Sequence, residues 1–160
     1  MKRKALMFKI NVVIKNLAWK SYIKNPSYFI NKNLANLNRK YKKNKNKKLF
    51  FTLLLSGNSE IKRLNKKFRK KNRTTDVLSF PFYKKKDLGS IIKKNNEVYL
   101  GDIIINLYKI KKDKNLSNFK KSFNKLWIHG LVHLLGHDHK KNEDFNKMIN
   151  IENKLFSYLD

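Results

Sequence analysis

"LFFTLLL", residues 49–55, is the longest apolar run in the chain, and its length limits the fold more than any other feature. A helix that crosses a membrane needs roughly 18 or more such residues. A run this short, continued as "LFFTLLLS" (49–56), reads as a strand buried in a sheet. "LGDIIIN" (100–106) reads the same way. "FKINVVIK" (8–15) alternates apolar and polar residues and predicts a third strand. "DVLSFPF" (76–82) predicts a fourth, with Leu78, Phe80 and Phe82 on one side. Pro81 has no N–H to donate to a ladder, so this last strand belongs at an edge of the sheet or ends there.

Helices fall between and after these strands. Asn25-Pro26 is a helix start, with Asn as cap and Pro in the first position, and leads into 26–40. Gly57-Asn58 opens "SEIKRLNKKFRKK", whose Ile61, Leu64 and Phe68 share one face. Two longer helices are predicted over 117–135 and 141–158; "YKKNKNKK" (41–48) and "KKKDLGSIIKKNNEV" (84–98) are expected to be polar connections. No repeat or linker interrupts the pattern. The expected fold is a single α+β (mixed α/β) domain over residues 1–160, a sheet of about four strands packed with five or so helices.

The chain has no cysteine, so any metal must be held by nitrogen and oxygen. The opening "MKRKALMFKINVVIKN" is basic like a secretion signal, but Lys9 and Asn11 break its apolar stretch and no small-residue cleavage site follows. A cytoplasmic protein with no membrane partner is expected. Its net charge is +28, from 39 Lys and Arg against 11 Asp and Glu. Such a surface attracts polyanions, RNA and ribosomes among them. Lys and Asn are abundant along the whole chain, however, as compositional drift would make them, so charge supports a nucleic-acid partner without establishing one.

All four histidines lie in "WIHGLVHLLGHDH" (127–139). His129 and His133 are four apart on a predicted helix, so their rings project from one face and can share an ion. His137 continues that face if the helix runs on. Gly136 favours a helix end instead, in the left-handed conformation glycine tolerates, after which the chain turns and brings back His139. The spacing H-x-x-x-H-x-x-G-x-x-H is that of the long metzincin motif. Three neutral imidazoles and one open position describe a catalytic zinc site at the end of a helix in the C-terminal half. After His129, zincin proteases carry the glutamate that serves as general base; here the residue is Gly130. Asp138 either orients a ligand histidine or is an ordinary turn residue.

"HGLVHLLGHDH" resembles the signature of the YbeY family, bacterial rRNA maturation factors that act as metal-dependent, single-strand-specific endoribonucleases. The family pattern runs His-Gly-x-x-His-Leu-x-Gly-Tyr-Asp-His. "LNKKFRKKNRTTDVLSFPF" (64–82) is similar to its Leu-Asn-x-x-aromatic-Arg segment followed by Thr-Asp-Val-Leu-Ser-Phe-Pro, and "LGDIII" (100–105) is a third block. The resemblance implies metal ligands His129, His133 and His139, one Zn2+ per chain, and a catalytic-cleft arginine at Arg69. It further implies action on single-stranded rRNA in 16S 3′-end processing and ribosome quality control, beside the ribosome or small-subunit assembly factors. The chain departs from the pattern at His137, where the family has tyrosine. Two other functions fit the same residues: a non-catalytic ribosome-assembly factor with a structural metal, and a zinc hydrolase of peptides or small substrates, which Gly130 argues against.

Overall fold

A computed structural model describes residues 6–41, 46–110 and 115–160. The basic opening at 1–5 and the middle of the lysine-rich connection, 42–45, lie outside the described residues. Strands β1 (Leu6–Ile14), β2 (Lys47–Ser56), β3 (Val77–Pro81) and β4 (Glu97–Asn106) form one sheet in the order β1-β2-β4-β3. The first three neighbours in that order run parallel, and β3 is antiparallel to β4. Parallel neighbours need long crossovers, which α1 (Pro26–Lys40) provides between β1 and β2, and α2 (Asn58–Arg69) and α3 (Lys85–Lys94), together with β3, between β2 and β4; α4 (Leu116–Leu134) and α5 (Asn142–Ser157) follow the last strand. The result is the expected α+β fold, with the Pro81 strand at an edge.

Strand alternation divides the apolar residues between two faces. Phe51, Leu53, Leu55, Ile103 and Ile105 point into the main core, where α1, α4 and α5 pack. Leu78 and Ile104 point the other way and meet Ile61 of α2, with Leu54, Leu64 and Phe80 alongside. Both central strands are therefore buried on two sides, which is why they read as unbroken apolar runs. A short 3-10 turn (Leu17–Ser21), not anticipated from sequence, inserts Trp19 into the core. Its indole N–H donates to the Ser56 carbonyl at 2.9 Å, so the burial leaves no polar atom unpaired.

Two expectations need correction. The segment 84–98 is not a polar connection: α3 occupies its centre, and β4 begins at Glu97. Leu88, Ile91 and Ile92 form an i, i+3, i+4 stripe that packs on the core, and the surrounding lysines mask it in the sequence. Phe82 does not share the buried side of β3 with Leu78 and Phe80. It lies beyond the strand end, 65% exposed, edge-on to Tyr99.

One close approach fixes how α4 sits on the sheet. A Cβ at Gly130 would lie 2.6 Å from Ile103 Cγ2 of β4, so only glycine fits at this helix–sheet distance. Gly130→Ala is expected to destabilise the fold by about 1–3 kcal/mol through overpacking. Urea denaturation measures it; unchanged stability would mean that the helix is free to move away.

Candidate metal centre and catalytic cleft

Helical phase places His129 and His133 one turn apart near the C-terminal end of α4, while Ile128, Leu131 and Val132 anchor the helix in the core. The helix then stops as Gly136 predicts. Gly136 has φ +90°, its N–H donates to the His133 carbonyl at 2.9 Å, and the His137 N–H reaches the Val132 carbonyl at 3.3 Å. This pair of bonds is the Schellman arrangement, which satisfies the last helical carbonyls and reverses the chain. The reversal returns His139 to the other two rings. One ring nitrogen from each of His129, His133 and His139 lies within 4.8 Å of the others, and these three could hold a metal ion.

The partners of the rings determine where the protons are. Nδ1 of His129 is 2.7 Å from Oε1 of Glu152 on α5, and Nδ1 of His133 is 2.9 Å from the carbonyl oxygen of His137. A carboxylate and a carbonyl can only accept, so both Nδ1 atoms carry a hydrogen, and in the neutral ring each Nε2 presents a lone pair. Those Nε2 atoms stand 3.1 Å apart. In the neutral rings both lone pairs face the same gap, and a cation bound to both at roughly 2.0–2.1 Å bridges them. Burial, and then the charge of neighbouring His129, hold the His133 pKa below the ordinary histidine value. His133 is thus neutral at pH 7, as a ligand must be. The donor set is therefore suited to a metal such as zinc.

Glu152 is the functional residue that sequence reading missed. It lies four residues after Met148 and three before Leu155, both buried, so it is an acid in phase with the apolar stripe of α5. Asp138 does not take the orienting role considered for it. Its Oδ1 accepts from the His139 N–H at 2.8 Å, and its Oδ2 lies 3.5 Å from Lys140 Nζ, so it shapes the turn. Glu152→Gln is expected to weaken metal binding about 10- to 100-fold, because the imidazole loses its anionic orienter. Competition with a chromogenic chelator reads this directly; wild-type affinity would reduce Glu152 to a packing residue.

His133 and His139 line a cleft of about 660 Å³ that Arg69 lines as well. Arg69 ends α2, and its Nη2 donates to the Ser79 carbonyl of β3 at 3.2 Å. Its guanidinium carbon lies 5.8 Å from the Phe80 ring centroid. The two contacts orient the side chain while leaving other N–H groups for a ligand. Lys71, Lys84, Lys85 and Lys140 add positive charge, against Asp138 as the acid among the lining residues. His137 lines the same cleft, while its backbone carbonyl holds His133. Asp76 and Asp102, also part of the matched blocks, are bound elsewhere: Asp76 accepts from the Val77 N–H, and Asp102 from the Tyr99 hydroxyl.

Comparison with known proteins shows the family and the fold. The sequence profile of the family described as Endoribonuclease YbeY matches residues 14–160. A protein of Pelagibacter ubique (strain HTCC1062) named Endoribonuclease YbeY is 47% identical over 155 residues, covering 96% of this chain and 97% of its own. One of the same name from Thermodesulfovibrio yellowstonii is 34% identical over 114 residues, covering 69% and 67%. A Thermotoga maritima protein solved in solution superposes with a TM-score of 0.57 at 22% identity, over 94% of this chain and 89% of its own, and shows that the fold is shared.

Proposed function

The chain belongs to the YbeY family of endoribonucleases, and on that premise we propose that it hydrolyses single-stranded rRNA with one zinc ion held by His129, His133 and His139. The observation that carries this reading is the convergence of three imidazole nitrogens, two of them from residues that line a cleft with Arg69. When bound, zinc supplies Lewis acidity: it makes a water nucleophilic near neutral pH and draws charge from the scissile phosphate.

The protein's own residues supply the rest. Glu152 and the His137 carbonyl fix the two imidazoles of α4 in the tautomer that presents Nε2 to the ion. Arg69 binds a nonbridging phosphate oxygen and offsets the charge that develops on it. The wall lysines hold the flanking backbone. A peptide substrate would need a general base at position 130, and the contact with Ile103 leaves no room there for a side chain. Among the described residues no helix is long and apolar enough to cross a membrane. In the cell we place the protein in the cytoplasm, acting at the 16S 3′ end and in ribosome quality control alongside small-subunit assembly factors. The family resemblance and the +28 net charge support this placement.

The test pairs metal analysis with cleavage of single-stranded and duplex rRNA fragments. Single strands should be cut in the zinc-loaded protein and spared after chelation. Equal cutting of duplex, or cutting that survives metal removal, would sink the proposal. Activity at subsaturating RNA should also fall about 20-fold between 50 and 200 mM salt if some three phosphates are contacted. A flat salt response would assign the lysines to compositional drift instead.

A further inference from the structure

A smaller concavity, about 170 Å³, adjoins the metal cleft and shares Arg69 and Lys71 with it. Asn65, Arg73, Thr74 and Thr75 complete its polar wall. No carboxylate lines it, and Arg69, Lys71 and Arg73 make no ion pair among the described residues. The nearest acid in sequence, Asp76, is outside the lining, and its Oδ1 is held by the Val77 N–H and the Thr75 hydroxyl. We propose that the connection between α2 and β3 forms a second anion site, which takes the RNA backbone phosphate next to the one being cut.

The wall is built rather than incidental. Asn65 is 2% exposed, and its Nδ2 donates to the Arg73 carbonyl at 2.8 Å. The Lys71 N–H returns to the Asn65 carbonyl at 3.2 Å, and the Arg73 N–H reaches the Lys71 carbonyl at 2.9 Å. At the far end, buried Asn106 donates from Nδ2 to the Thr75 carbonyl at 3.1 Å and from its backbone N–H to the Asp76 carbonyl at 2.8 Å. Two buried amides thus tie down a short loop and hold three cations around one hollow, despite their mutual repulsion. A preorganised cluster of this kind recovers that repulsion when a phosphate enters. Because Arg69 lines both cavities, successive phosphates of one strand occupy them in turn. The site therefore gives a single strand a fixed register over the metal centre. This inference rests on the RNA-cleaving function proposed above.

The test measures salt-dependent binding of a short single-stranded oligoribonucleotide to the zinc-loaded full chain, and repeats it with a neutral methylphosphonate at each linkage in turn. Arg73→Gln should weaken binding several-fold and lower the log–log salt slope by about 0.7, the contribution of one phosphate on a single strand. Arg73→Lys should restore part of both. Lys32→Gln, on the exposed side of α1, should change neither. One methylphosphonate that weakens wild-type binding should make no further difference in Arg73→Gln, and a dinucleotide with only the scissile phosphate should be cut at the wild-type rate. The second site is ruled out if Arg73→Gln binds like wild type, if Lys32→Gln loses as much, or if dinucleotide cleavage falls as well. The binding arms do not depend on turnover. Absence of cleavage with the pattern intact defeats the function and spares the pocket; cleavage without the pattern does the reverse.

Discussion

His129→Ala is expected to abolish both metal retention and RNA cleavage. With one of three neutral ligands gone, two imidazoles remain to hold the ion. A bound metal contributes several kcal/mol of charge stabilisation, so cleavage should fall at least about 1000-fold, at roughly tenfold per 1.4 kcal/mol. The fold should survive, because the His129 side chain is 30% exposed and lies outside the main core. Circular dichroism and metal analysis by mass spectrometry separate the two effects. His137→Ala is the internal control: its backbone carbonyl still supports His133, so the metal should stay. If His129→Ala kept both metal and cleavage, the histidine cluster would not be the catalytic centre.

Arg69→Ala should leave metal content unchanged and lower the rate of the chemical step about 100- to 1000-fold, the usual cost of removing one preorganised donor to developing charge. Single-turnover cleavage at saturating RNA isolates that step. Arg69→Lys should recover little, since a point-charge ammonium does not reproduce the planar fork that Ser79 and Phe80 aim into the cleft. A large rise in KM with an unchanged rate would reassign Arg69 to substrate binding.

The two predictions concern residues whose legibility differed. His129 and His133 were visible because helical phase is a local property: four residues of spacing set a shared face before any tertiary contact exists. The preference for His139 over His137 was also local, resting on the left-handed φ that Gly136 adopts at the end of α4. Arg69 was different. By phase alone it is an exposed residue in a basic run, and its likeness to a family motif singled it out. Glu152 had a faint signal, an acid on the apolar stripe of α5, but nothing local says which residue it would meet. Helix α3 was hidden for a compositional reason: three apolar residues among lysines form a helix only because the core offers them a surface.

The sequence by itself determined the two buried runs that become β2 and β4, the restriction of the Pro81 strand to an edge or an end at Pro81, the end of α4 at Gly136, and the face shared by His129 and His133. Each of these depends on backbone conformation or hydrophobic period over a few residues. Only the tertiary structure decided that α5 brings Glu152 to 2.7 Å from His129, that the end of α2 sets Arg69 beside the histidines, and that the α2–β3 connection closes a second cationic hollow. The first two meetings join residues 23 or more positions apart in the chain, and the third depends on Asn106 of β4, 31 positions from Thr75. They arise because α2 packs on one face of the sheet and α4 with α5 on the other, so their ends converge at the edge where β3 lies.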